Sequence, residues 1–268
     1  MLGPVIIVGL QLLITTGVAG AGVFGPAEKP VHPDALGKRQ SLPLATWGPD
    51  ITLGQTASEF VALSTIYSTG PPPAQVQGSI FLWPGLFDQA NRNAGDLIQS
   101  VIEIHDAKLT SETCQARPGQ WCIRPFVVNY KSTPISTTPK YGRAIDPRDM
   151  ILIQYTKAPG PDGRWYQKIT NLSKGNAVLF DYPAGHTPTR WLQIATEYQG
   201  GNTGTASEQI YTNTTVTVKV AEPGLGSKFA RHGNIQATAP YSKDGGKTWV
   251  IDRVVIPAKL PGTQWRSP

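Results

Sequence analysis

From Val76 onward the chain is a succession of short runs rich in β-branched and aromatic residues, each closed by turn formers such as Gly, Pro, Asn and Asp. Runs of this kind read as strands joined by turns. The 28 Gly and 24 Pro, set against only 16% charged residues, favour sheet and turn over long helices. An apolar share of 40%, with 7 Trp, 9 Tyr and 7 Phe, supplies enough bulk for a packed core rather than a disordered chain.

Strands are predicted near 76–83, 96–105, 121–129, 149–157, 164–171, 177–182, 190–198, 208–220 and 248–256. The alternating stretches Ile151–Tyr155 and Trp165–Ile169, joined through Pro159-Gly160-Pro161-Asp162-Gly163, read as a hairpin. No long linker divides the strands, and no repeat recurs at a fixed period. The expectation is one antiparallel β-sandwich over 75–268. Residues 40–74, closed by Pro71-Pro72-Pro73, are expected to be an irregular lead-in along an edge.

Residues 1–21 read as a signal peptide: an apolar run from Val5 to Val18 is too short for a comfortable membrane span and ends at Ala19-Gly20-Ala21. Residues 22–39 would form a pro-segment ending at Lys38-Arg39, which reads either as a dibasic processing site or as two surface cations. The expected destination is extracellular, as a secreted monomer with no membrane attachment after signal cleavage. In that oxidising setting the two cysteines, Cys114 and Cys122, read as one local disulfide, and no soft ligands stand near them to make a metal site. Asn171-Leu-Ser173 and Asn213-Thr-Thr215 are N-glycosylation sequons. The formal net charge of +6 is scattered, without a basic run interleaved with aromatics, so nucleic acid is not an expected partner.

Familiar catalytic strings are missing: there is no Gly-x-Ser-x-Gly elbow, no His-Glu-x-x-His, no P-loop and no Gly-x-Gly-x-x-Gly after a strand. His32 lies in the pro-segment, and His105, His186 and His232 are dispersed. No metal or organic cofactor is implied. The most informative stretch runs Ser79-Ile-Phe-Leu-Trp83-Pro-Gly85-Leu86, then a polar loop, then Gly95-Asp-Leu97-Ile-Gln99-Ser-Val101. Strand alternation puts Leu97, Gln99, Val101 and Glu103 on one face, with Ile98 and Ile102 on the other. In Trp191-Leu-Gln193-Ile-Ala195-Thr-Glu197-Tyr it likewise puts Trp191, Gln193, Ala195 and Glu197 on one face.

On Trp83, Gly85, Leu86, Leu97 or Ile98, and Gln99, about a fifth of the mature chain resembles the secreted glutamic peptidases. The resemblance implies a concanavalin A-like all-β sandwich (a jelly roll) with Gln99 as the catalytic amide and a Glu from a later strand as general base. Glu197 is the candidate for that base, although the family's Ala-Glu-Trp-Ile-Val-Glu string is absent and Gln193 stands where its earlier Glu would be. The implied activity is acid hydrolysis of polypeptide, with Trp83, Trp191, Gln193 and Tyr211 as candidate substrate-binding residues. Two alternatives stay open on the same fold. One is a polysaccharide-active enzyme: a uronan lyase pairing Tyr211 or Tyr198 with Gln99 or, counted against by Lys108, a glycanase at Glu103-Ile-His105-Asp106. The other is a non-catalytic carbohydrate-binding or wall-associated protein.

Overall fold

A computed structural model describes residues 46–88, 96–106, 110, 113–129, 136–160, 163–185, 189–199 and 204–261. The expected signal peptide and pro-segment, together with His186, lie outside the described residues. Two antiparallel sheets face each other, as the alternating runs predict. The first has nine strands: β1 (Thr46–Trp47), β2 (Asp50–Gly54), β4 (Ser79–Phe87), β5 (Asp96–Ile104), β6 (Trp121–Asn129), β7 (Ser136–Thr137), β8 (Arg143–Ile145), β12 (Trp191–Gln199) and β14 (Phe229–His232). The second has seven: β3 (Phe60–Thr69), β9 (Ile151–Lys157), β10 (Trp165–Asn171), β11 (Ala177–Pro183), β13 (Gln209–Val218), β15 (Gln236–Ala237) and β16 (Thr248–Ile256).

Along the nine-stranded sheet the main order is β14-β2-β12-β4-β5-β6-β7, with β1 also on β12 and β8 also on β6. Along the seven-stranded sheet it is β11-β10-β9-β3-β13-β16-β15. The core lies between them, where Leu82, Ile98, Ile102 and Ile194 of the first sheet meet Leu63, Ile153 and Ile251 of the second. Burial of this interlocked apolar surface is the main force holding the sheets together.

The irregular lead-in expected over 40–74 is corrected: its described part carries β1, β2 and β3, and β3 is the middle strand of its sheet rather than an edge. The reason is tertiary. Thr65 and Thr69 occupy inward positions that a sequence reading assigns to apolar residues, and both are buried. They are tolerated because Thr65 Oγ1 meets Thr214 Oγ1 at 2.7 Å and Thr69 Oγ1 donates to the Glu208 carbonyl at 2.9 Å.

Cys114 and Cys122 form the expected disulfide, with Cα atoms 5.9 Å apart. Among the described residues no helix is long and apolar enough to cross a membrane.

A second irregularity positions the site. Pro84 falls in a central strand, in the gap between the pairs Leu82–Ile102 and Gly85–Gln99, and Pro125 pairs with Ser100 from the other side. Proline has no N–H to give, so the ladder is interrupted around Ser100. The opposite sheet repairs it: Tyr155 Oη accepts from Ser100 N at 2.6 Å and donates to the Pro84 carbonyl at 2.9 Å. Ser100 Oγ donates to Gln167 Oε1 at 3.0 Å, and Gln167 Nε2 donates to the Phe126 carbonyl at 2.9 Å. This polar tie pins the backbone next to Gln99.

Candidate active site on the outer face of the nine-stranded sheet

Odd-numbered residues of β4, β5 and β12 point away from the opposite sheet, and the register sorts them into rows. One row runs Phe126, Gln99, Gly85, Gln193 and Thr52 across five strands. Another runs Cys122, Glu103, Phe81, Glu197 and Trp47. Between them Trp83 pairs with Ala195. Gln99, Gln193, Glu103 and Glu197 are all at most 4% exposed, so this face is a buried, polar surface rather than a solvated one.

Trp83 organises the rows. A Cβ added to Gly85 would come within 3.0 Å of the Trp83 ring and 3.1 Å of the Ile98 carbonyl, so the indole needs glycine beneath it. That packing is a physical reason for the Trp-x-Gly spacing. Trp47 meets Trp83 edge-on, with ring centroids 6.2 Å apart.

At the other end of the indole lies Glu197. Burial drives its carboxyl up to about 7, against hydrogen bonds from Gln199 and Trp83 that favour the charged form. The Gln199 amide donates to Glu197 Oε1 at 2.6 Å. Trp83 Nε1 approaches without full alignment, so the Gln199 contact carries the greater weight.

Across Phe81 from Glu197 lies Glu103, whose environment is the reverse. Burial raises its pKa, but the charges of Arg124 and His105 outweigh burial and hold the carboxyl below its ordinary value. Arg124 Nε lies 2.6 Å from Glu103 Oε1, and His105 Nε2 lies 3.4 Å from Glu103 Oε2. Neither nitrogen is aligned as a hydrogen-bond donor; the Arg124 contact is a charge pair, and the His105 contact becomes one only when the ring is protonated. Two carboxyls on one row thus have their pKa values pushed apart, the usual division between a group that carries a proton and one that does not.

The structure brings Gln99, Glu197, Gln193 and Trp83 to one face. Trp191 joins them, half-buried and stacked on Phe87 with centroids 6.5 Å apart. It does not bring Gln99 and Glu197 together. Glu197 is displaced four residues along β12 from Gln193, the residue in the Gln99 row, which is roughly 13 Å along the strands and about 10 Å across them. The neighbour of Gln99 across Gly85 is another amide. Gln193 Nε2 donates to Asp50 Oδ2 at 3.0 Å, and Asp50 in turn contacts His232 Nδ1.

Expectations for three residues are corrected. Tyr211 does not line the face: it is fully buried between the sheets, tilted against Tyr67 with centroids 4.9 Å apart. Tyr198 points into the same interior cluster, and burial raises both phenols, which makes neither a ready base at the outer face. Asn171 is 3% exposed and its amide donates to Asp149 Oδ2 at 2.8 Å, so the folded chain does not present it for a glycan. Asn213 is exposed, at the β13 position skipped by both neighbouring ladders, with φ of 52°.

Sequence reading missed the paired Ser79 and His105, whose Oγ and Nδ1 lie 2.6 Å apart. The signal was present: Ser79 and His105 flank a strand pair whose register was not yet known. Among the described residues no three His, Cys, Asp or Glu side chains gather to hold a metal ion.

No family model and no curated protein matches this chain. Solved structures similar to it include SCP-B, a member of the eqolisin family of peptidases, in a complex with the tripeptide Ala-Ile-His, at 13% identity and a TM-score of 0.45. Scytalido-glutamic peptidase with a transition state analog inhibitor has 13% identity and a TM-score of 0.48; each of these two likenesses covers 79% of this chain and 99% of the other. An alginate lyase Aly36B mutant in complex with alginate trisaccharide has 11% identity and a TM-score of 0.28, covering 80% of this chain and 72% of the other. At these values the likeness assigns no role to any residue of this chain.

Proposed function

We propose that this chain is a secreted hydrolase of extended polypeptide, with the outer face of the nine-stranded sheet as its groove. The observation that carries the reading is Glu197, a buried carboxyl raised to about 7 on the same face as Gln99 and beside an aromatic floor. The separation of the two rows changes their division of labour. A span of roughly 13 Å along the strands corresponds to about four residues of extended substrate. Gln99 therefore serves as an amide that holds the substrate backbone, while Glu197 transfers a proton several residues away.

Below about 7 the Glu197 carboxyl carries a proton to give to a scissile carbonyl or a leaving nitrogen. Hydrolysis should therefore fall as pH rises through that value, consistent with an acid-acting enzyme. The test is turnover of denatured protein and of polyuronide by the processed protein, scanned from acid to alkaline pH, beside Glu197→Gln and Gln99→Ala. Glu197→Gln should lower kcat at least about 100-fold, and Gln99→Ala should act mainly on KM. Turnover that rises through neutrality, or that survives Glu197→Gln, would overturn the proton-donor role.

One observation favours a second reading, a non-catalytic binding protein: the Gln99 row offers a second amide, Gln193, rather than a carboxylate. Silence on both polymers, with retained binding of a peptide that Gln99→Ala weakens, would select it.

A further inference from the structure

One end of the same face holds a constellation that the hydrolase reading does not use. Ser79 opens β4 and His105 directly follows β5, where the pair Ile80–Ile104 sets the register. Ser79 Oγ lies 2.6 Å from His105 Nδ1, and the other ring nitrogen lies 3.4 Å from Glu103 Oε2. The order is hydroxyl, imidazole, carboxylate, the sequence of groups that turns a serine into a nucleophile.

His105 is held at its backbone and at its ring. Thr110 Oγ1 accepts from His105 N and donates to His105 O, each at 3.0 Å. Phe81 packs edge-on against the ring, with centroids 5.6 Å apart. Glu103 is itself anchored by Arg124 and is fully buried, while His105 is 1% exposed. Ser79 is only half-buried, so the group that would meet a substrate is the most accessible of the three. A serine–histidine contact that merely tied two strand ends would not need a buried carboxylate behind the ring.

We propose that Ser79, His105 and Glu103 form a nucleophilic acyl-transfer centre that accepts a carboxylic ester. Ser79 Oγ bonds to the ester carbonyl carbon as its proton passes to His105 Nδ1, and Glu103 stabilises the imidazolium through Nε2. The C–O bond to the alcohol then breaks, the alcohol leaves with that proton, and the acyl group stays on Ser79. Water attacks the acyl carbon, gives a proton to His105 Nδ1 and releases the acid, with the proton returning to Ser79. Glu103 acts as a positioning residue.

The test is covalent labelling of the full chain with a fluorophosphonate probe, read by intact mass and peptide mapping, together with p-nitrophenyl acetate hydrolysis. One adduct per chain at Ser79 is expected. It should be absent in Ser79→Ala and form at least about 100-fold more slowly in His105→Gln. Glu103→Gln should move the midpoint of the labelling pH profile downward, since removing the carboxylate disfavours the imidazolium; a purely structural role would leave that midpoint in place. Ser79→Ala changes only a half-buried hydroxyl, so it remains informative if the histidine and glutamate variants fail to fold. No adduct, an adduct on another residue, or equal labelling of urea-unfolded protein would overturn the proposal. Labelling requires no polymer substrate, so it can fail while polypeptide hydrolysis through Glu197 stands, and the reverse.

Discussion

The two sheets differ in how they treat the face turned away from the core. In the seven-stranded sheet, β3 and β13 largely alternate between buried and half-buried positions, and β10 begins as strict buried–exposed alternation, as expected of an antiparallel sheet with one face toward water. In the nine-stranded sheet, every residue of β5 is buried, and β4, β6 and β12 are buried except at their ends. A face that is buried yet carries Gln99, Glu103, Arg124, Gln193 and Glu197 is costly to maintain, because each polar group has left water. The lesson is that the chemistry-bearing groups concentrate where burial can perturb them, and the plain structural face stays on the other sheet.

The largest test of that contrast is Glu103→Ala, which leaves Arg124 buried without its carboxylate. It should cost about 4 kcal/mol in chemical denaturation, and a cost below about 1 kcal/mol would show that the face is wetter than its burial indicates. Next is the pH dependence of stability. Burial pushes the Glu197 carboxyl in the folded chain up to about 7 from an ordinary value of 4.5, so the folded chain binds more protons than the unfolded one between these values. Its contribution is fully present below about 4.5 and is lost as pH rises through about 7, a decline of about 3 kcal/mol. Glu197→Gln should flatten that slope in urea titrations run at successive pH values.

Tyr155→Phe probes the tie between the sheets rather than either outer face. Removing the hydroxyl strands Ser100 N and the Pro84 carbonyl, and about 2 kcal/mol of stability should be lost. If the cross-sheet tie also aims Gln99, peptide binding should weaken with it. At the small end, Lys219→Ala removes one exposed cation from Glu59, which keeps Lys157 at 2.5 Å. A melting measurement should register no more than about 0.5 kcal/mol. An effect as large as that of Glu103→Ala would erase the distinction between the sheets.

Much of the strand content was legible because alternation and turn residues are local signals. β5, β6, β10, β11, β12 and β16 fall within a residue or two of their expected limits. The shared facing of Gln99 with Glu103, and of Gln193 with Glu197, was legible for the same reason: a strand has period two whatever it pairs with. β2 and β3 were not legible as a core layer. The inward threonines of β3 acquire partners only from residues distant in the chain.

The amino-acid order by itself determined that these residues form strands and which side chains share a face, since both follow from steric preferences within a few residues. Register was decided only in the folded sheet, where nine strands align by packing and hydrogen bonding across long stretches of chain. That alignment put Gln193, not Glu197, in the row of Gln99, set Glu103 and Glu197 on either side of Phe81, and brought Ser79 to His105. It also turned Tyr211 into the core, because a side chain's surroundings are fixed by which sheet covers it rather than by its own neighbours in sequence.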